Sequence, residues 1–547
     1  VCFLEILHLL VYIIIRVHCE MDDPARSALG TVQIRNSSTN QIILIPTPSN
    51  DPNDPLNWSK IRRYYIAISA CVAMFLCTFL ASGPSVALPE MAQDFLGHST
   101  LTPPQRIAKV AYFITTVTLM QGVGCLAWIP LIIKYGRRPI YIAAFTLYTV
   151  TAIWAAVADS YANHLAARIV MGFAIGAGEC LAPVTIADVT FLHERGLLMA
   201  VYTASISGGV AGGIIVSGLI TIDHGWRTIY YVSIALIGAM TIVLCFTMPE
   251  TSYIRNPVPA ETASAVSPLD KEGSTDYTEN ADFREQSIPK KHTYLQELRL
   301  FHGKFTEEPL IKIFVRPIGL LILPPVLWAT LVTSVLIGFL VAVSSTFSTA
   351  FGQVYKFEPY QSGLCFISAL IGSLVGIAVG GKFTEVVADY FTKRNGGVRE
   401  PEMRIPAIII SVVAAPTALV LYGVGIQTRL HWMVPTIGLA LLNFSIVQAV
   451  NISMVYTIDS YRPIGGEVVV TQLGFKACFG FLLSFYTNPW IDRVGYSIAF
   501  GTMASITGAV LLAGIPFYFL GKAIRHNSLR WRALRFVLWS KDRELGE

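Results

Sequence analysis

The chain has 547 residues, 53% of them hydrophobic and only 14% charged, against roughly 25% charged in soluble domains. That balance excludes a water-soluble enzyme or nucleic-acid-binding domain, and a net charge of +5 is too small to imply an acidic partner. What remains is an all-α, polytopic membrane protein.

Residues 1–20 are apolar but broken by Glu5, His8 and Arg16, and Met21 follows them. A peripheral or artefactual stretch is expected there, with a signal peptide or anchor as the alternative. Residues 21–59 read as a tail with little packing capacity. From Tyr64 apolar segments succeed one another, centred near Met74, Val117, Leu147, Gly176, Gly209 and Leu236. Each is long enough for the ~30 Å of hydrocarbon that about 20 helical residues cross. Residues 250–316 hold many charges with Pro, Ser and Thr and read as a solvated linker. Six further spans centre near Val332, Leu374, Ala415, Ser445, Phe475 and Val510, and a basic tail starts at Gly521. The expected organisation is a tail over 1–63, a six-helix bundle over 64–250, a linker over 251–316, a second bundle over 317–520 and a tail over 521–547. Twelve transmembrane helices in two pseudo-symmetric six-helix bundles follow, with a binding site between the halves at midplane.

Lys and Arg set the orientation. Lys60, Arg62 and Arg63, then Lys134, Arg137 and Arg138, the linker, Lys382, Lys393, Arg394 and Arg404, and Lys522, Arg525, Arg530 and Arg532 fall on one side. The positive-inside rule makes that side cytosolic, with both termini, and the Asn36 and Asn57 glycosylation triplets would then go unused. Nine cysteines show neither a disulfide framework nor metal-ligand spacing.

Three charges stand inside spans, where each uncompensated charge costs roughly 2.5–3.5 kcal/mol. Arg168 and Glu179 share one face of span four, roughly 16 Å apart along the axis, as a helix lining a polar path would carry them. The alternative is a snorkelling Arg168 and a structural Glu179. Lys476, deep in span eleven, calls for an acid, with Glu179 and Glu467 the candidates. Asn443, Gln448 and Asn451 in span ten serve either substrate or interhelical hydrogen bonds. Gly83 with Pro84, and Pro324 with Pro325, can kink spans one and seven. Gly208, Gly209, Gly212 and Gly213 in span five, and Gly372, Gly376 and Gly380 in span eight, recur every four residues and allow close helix approach, either between the halves or within one. No P-loop, zinc-type histidine pair or nucleophile elbow is present, so no enzyme and no cofactor is expected.

Between spans two and three lies LIIKYGRRPIYI, a turn built on Gly136, Arg137, Arg138 and Pro139. Together with ARIVMG in span four, GWR at Trp226, PETSYIRN after span six, DPNDPLNWSK before span one, FLHERG after span four and EPEMRIP before span nine, the chain resembles the major facilitator superfamily, in its fungal, twelve-span drug:proton antiporter branch. The loop departs from that family's pattern at Ile129, Ile133 and Lys134, losing the usual aspartate, so Asp188 becomes the expected partner of Arg137 or Arg138 in a cytosolic latch. Span five lacks the antiporter proline, with Gly213 in its place. The resemblance implies an alternating-access secondary transporter, monomeric in the plasma membrane, that exports a small organic molecule against protons; desolvation of a Glu179 buried in mid-span would let proton and substrate compete for it, which makes it the expected coupling carboxylate and favours a cationic or amphiphilic substrate. The alternatives are a proton-symport importer of a polyamine-like cation and a non-transporting nutrient sensor.

Overall fold

The computed structural model describes residues 30–33, 44–255, 290–528, 531, 534 and 536–539; residues 1–20, Asn36, the middle of the expected linker, Arg530 and Arg532 lie outside them. Long helices dominate because a backbone in hydrocarbon must bond its own N–H and C=O groups. Among the described residues, eleven helices are long and apolar enough to cross a membrane: Lys60–Leu96, Gln105–Tyr135, Arg138–Val157, Tyr161–Val189, Leu192–Ile220 and Trp226–Thr247 are spans one to six, and Pro324–Val354, Pro359–Arg394, Pro401–Gln427 and Met433–Ser460 are spans seven to ten. The eleventh, Arg462–Leu512, is two spans run together. Its helix breaks at Gly495, whose φ of 81° and ψ of 166° only glycine adopts cheaply, so spans eleven and twelve lie on either side.

Local chemistry sets the helix starts. The Ser59 hydroxyl accepts the Arg62 amide at 3.4 Å to open span one, and Ser160 accepts Asn163 at 3.3 Å to open span four. Pro324 occupies the first turn of span seven, where an N–H is not needed, so the Pro324–Pro325 pair starts a helix and does not kink one. Gly83–Pro84 does interrupt span one: the α-helix Lys60–Ser82 gives way to a 3-10 turn over Gly83–Ala87.

The two halves repeat one packing scheme. Span one lies on five, two on four, and three on four and six; correspondingly seven lies on eleven, eight on ten, and nine on ten and twelve. The halves meet along spans two and eleven and along five and eight. The glycine rows serve packing inside each half. Gly209 and Gly213 lie on the backbone of Phe75 and Phe79 in span one, with Gly212 against the Phe75 ring, and Gly372, Gly376 and Gly380 lie on span ten at Ala440, Val447 and Gln448. Gly208 alone of the row is nearest to the other half, at Leu370. Across that seam the Ser207 and Ser373 hydroxyls hydrogen-bond at 2.9 Å.

Two segments read as solvated are in fact packed. The end of the first tail docks through Asp54, which is fully buried and accepts the Ser49 and Leu56 amides, each at 3.0 Å, and Arg255 Nη2 at 2.9 Å. DPNDPLNWSK and PETSYIRN, far apart in sequence, therefore form one structure. The end of the expected linker folds into the helix Leu310–Leu320 and buries Arg316 between Glu308 at 2.7 Å and Glu467 at 2.6 Å. Polar composition suggested solvent, but paired charges can be buried. Val32–Gln33 also pairs antiparallel with Val398–Arg399.

Candidate functional site

Glu179 and Lys476 form an ion pair that bridges the halves, from span four to span eleven, with both side chains buried. Each sits roughly 15 Å along its helix from the end that carries the basic loops, which puts the pair near the middle of a ~30 Å hydrocarbon layer. Lys476 binds Glu179 Oε1, and Gln121 Nε2 of span two donates to Oε2 at 2.7 Å. Cys125 Sγ lies 3.7 Å from Oε2, and the Tyr202 hydroxyl donates to the Glu179 carbonyl at 3.1 Å. Of the two acids open to Lys476, Glu467 is taken by Arg316. Gln121 went unnoticed in the sequence, although a lone amide in an apolar span was signal enough.

Arg168 does not join this centre. Its guanidinium donates to the carbonyls of Phe113 at 3.0 Å, Leu80 at 3.1 Å and Ala81 at 2.9 Å. Pro84 explains the arrangement: without an N–H it leaves Leu80, four residues back, with a carbonyl that no helical amide can reach. Arg168 supplies that donor and so holds the bend of span one. Arg168 and Glu179 thus address different neighbours.

The amides of span ten also bond backbone. Asn443 donates to the Leu439 carbonyl at 2.9 Å, and Gln448 to the Ala407 carbonyl at 3.1 Å while accepting from Ser411. Asn451 donates to the Gly380 carbonyl at 2.7 Å and to that of Gly196 in the other half at 3.3 Å. Gln448 lies inside a π-helical stretch, Ile446–Val450, and Asn451 follows it; this stretch faces a second one, Ala378–Phe383, in span eight. Such widened turns leave carbonyls without their usual donors, and Asn451 serves one of them, at Gly380, while Gln448 serves Ala407 in the 3-10 segment Pro401–Ile408 of span nine.

At the basic face, Arg137 Nε lies 2.9 Å from Asp188, which also accepts the Thr251 hydroxyl at 3.1 Å. Arg138 turns the other way, to the carbonyls of Cys245 at 2.8 Å and Leu298 at 3.1 Å. Of the two expected partners, then, Arg137 is the one beside Asp188. Gly136 has φ 97°, and the Glu250 carboxylate stands where a β-carbon would be, accepting the Arg137 and Arg138 amides at 2.8 and 3.1 Å. This acid closes the turn that lost its aspartate at Ile133.

The second half mirrors the arrangement. Asp459 ends span ten as Asp188 nears the end of span four, and it accepts Arg404 at 2.6 Å. It also binds Arg195 of the first half at 3.1 Å, so this pair closes the basic face between the halves. Arg404 continues to Glu385 at 2.8 Å, whose carboxylate lies against Gly196. Beside this closure, at the basic face, a cavity of about 230 Å³ is lined by Val184 and Asp188 of span four, Arg195, Gly466 of span eleven and the packed segment at Ser252 and Arg255.

Comparison with known proteins bears on all of this. The family model described as Major Facilitator Superfamily matches residues 70–467. The chain is 26% identical to the MFS transporter cpaT of Aspergillus oryzae, over 87% of this chain and 90% of that protein. It is 27% identical to the efflux pump radE of Floropilus chiversii, over 87% and 84%. Among solved structures, the human organic anion transporter MFSD10 aligns with a TM-score of 0.55 at 15% identity, over 84% of this chain and 100% of that one. The proton:xylose symporter XylE aligns with a TM-score of 0.58 at 14% identity, over 84% and 96%. At those identities the structural likeness speaks for the fold alone.

Proposed function

The chain belongs to the Major Facilitator Superfamily and is a membrane transporter, and from that premise we propose that it exports a small organic cation in exchange for protons by alternating access. The observation that carries this reading is the buried Glu179–Lys476 pair between the halves. Breaking a buried ion pair by removing one partner costs about 3–5 kcal/mol. When the halves rock apart each charge therefore needs a substitute, and a substrate or a proton provides it. A carboxylate that a cation can claim suits a cationic or amphiphilic substrate.

The relative named an efflux pump supports the outward direction. The basic loops support a cytosolic basic face, with the end of the first tail at 44–59 and the linker residues 251–255 and 290–316 on it. On this reading the protein is a plasma-membrane monomer, the Arg195–Asp459 closure is its cytosolic gate, and the Arg137–Asp188 latch stiffens the first half beside it. An inward pH gradient is the driving force, and the membrane potential, worth roughly 2.3 kcal/mol per charge per 100 mV, adds to it only where an exchange moves net charge.

The test is a deletion strain challenged with toxic cations, neutral compounds and anions, carrying the wild-type chain or Glu179→Gln. Glu179→Gln keeps the side-chain shape and is expected to reach the membrane while losing resistance to the cations. Normal resistance with an unchanged pH profile would make the carboxylate structural and sink the reading.

A further inference from the structure

We propose that Lys476, rather than Glu179, carries the coupling proton: an incoming monocation takes the ammonium's place at Glu179, and Lys476 gives up a proton as it does so. This rests on the reading of Glu179 as the cation site. The reason is a charge count over the residues around the pair. Gln121 fixes Glu179 Oε2 at 2.7 Å, which leaves Oε1, now held by Lys476, as the position that a cation would take.

A displaced Lys476 then finds no second acid among the described residues. Glu467, the nearest carboxylate along its own helix, is roughly 13.5 Å away and already binds Arg316 at 2.6 Å. Asp188 and Asp459 lie at the basic face with Arg137 at 2.9 Å, Arg195 at 3.1 Å and Arg404 at 2.6 Å. The titratable groups that face the pair from spans one, two, four and five are Cys77, Cys125, Cys180 and Tyr202, all fully or almost fully buried. None of them offers a resident negative charge to an ammonium.

An unpaired buried ammonium costs several kcal/mol, whereas a neutral amine costs far less. Lysine can take that way out; arginine cannot. In the step, one Nζ–H bond of Lys476 breaks, the electron pair stays on nitrogen, and the proton leaves to water on the side from which the cation entered. On the opposite side the cation departs and Nζ takes a proton from water, restoring the pair. The site is neutral throughout, so one monocation moves out for one proton moved in, and the cycle transfers no net charge.

The test uses the full-length protein, with tetraphenylphosphonium and ethidium as probe cations. In detergent and weak buffer with a pH indicator, wild type is expected to release about one proton per cation bound. Lys476→Arg, checked for wild-type elution and melting, is expected to release at least tenfold less. In proteoliposomes, wild-type exchange is expected to follow an imposed pH gradient and to ignore a potassium–valinomycin potential, a readout that needs no variant to fold. Proton release retained in Lys476→Arg would assign the proton to Glu179 and overturn the proposal. So would potential-driven exchange, or binding without release, which is the behaviour of a site that keeps both charges for a zwitterion. Binding of neither cation, alongside resistance to neutral or anionic compounds in the deletion strain, would overturn it while leaving transport intact; no resistance to any compound would instead fail the functional reading beneath it.

Discussion

Arg195→Gln should open the basic face. Arg195 reaches across the halves to Asp459 at 3.1 Å, and both side chains are almost wholly buried. Asp459 keeps Arg404 at 2.6 Å within its own half, so the substitution removes the arm that exists only while the face is closed. The pair lies next to a cavity that water can enter, so its loss is worth less than that of a dry buried pair: about 1.5–3 kcal/mol, the range of hydrogen bonds to charged groups. That energy shifts the closed-to-open ratio by roughly 10- to 150-fold. Ile129 of span two reports it, because it is wholly buried against Gly466 of span eleven and does not line that cavity. The assay is the alkylation rate of Ile129→Cys in otherwise wild-type and Arg195→Gln chains, with the unsubstituted chain as blank for the native thiols. At least a tenfold faster reaction in Arg195→Gln is expected. An equal rate, with the protein folded, would refute the gate and leave Arg195 a packing residue.

Arg168→Ala should lower melting temperature and folded yield, because three buried carbonyls lose their donor; Pro84→Ala returns an amide to the Leu80 carbonyl, so the double variant should lose less than the sum, as size-exclusion fluorescence can measure. At the latch, Arg137→Asp with Asp188→Arg should recover part of the transport that either single change loses, by about 1 kcal/mol for this half-wet pair, whereas Arg138, bonded to carbonyls, should show no rescue by any change at Asp188. Burial raises the Asp54 carboxyl, but the Arg255 guanidinium and the Ser49 and Leu56 amides bring it net below its ordinary value of 3.8. A depressed carboxyl stabilises the fold above its unfolded value and loses that effect as pH falls through the folded one. Asp54→Asn should therefore melt earlier than wild type across the neutral range, and the gap should close only below about pH 3.8.

The sequence by itself determined the twelve spans and their division into halves, because the hydrocarbon layer imposes an apolar length on each span that no local preference can disguise, while the resemblance to the family lay in its motifs, from DPNDPLNWSK to EPEMRIP. It also marked Glu179 and Lys476, since a charge deep in a span must have a partner. What it could not supply was the identity of partners from different helices. Glu179 and Glu467 are both candidates for Lys476 in the sequence, and the packing of spans four and eleven, with the docking of Arg316, separates them. Arg168 looked like a lining residue because its face was legible, while the carbonyls it serves belong to spans one and two. The amides Gln448 and Asn451 could not be told from substrate ligands because the irregular turns whose carbonyls they serve, at Ala407 and Gly380, leave no mark in composition. The tail and the linker looked solvated because burial of a polar segment depends on a partner elsewhere, as Asp54 depends on Arg255 some two hundred residues later. Periodicity and hydropathy are properties of one helix, and they survive in the sequence; an ion pair is a property of two, and only the tertiary structure decides it.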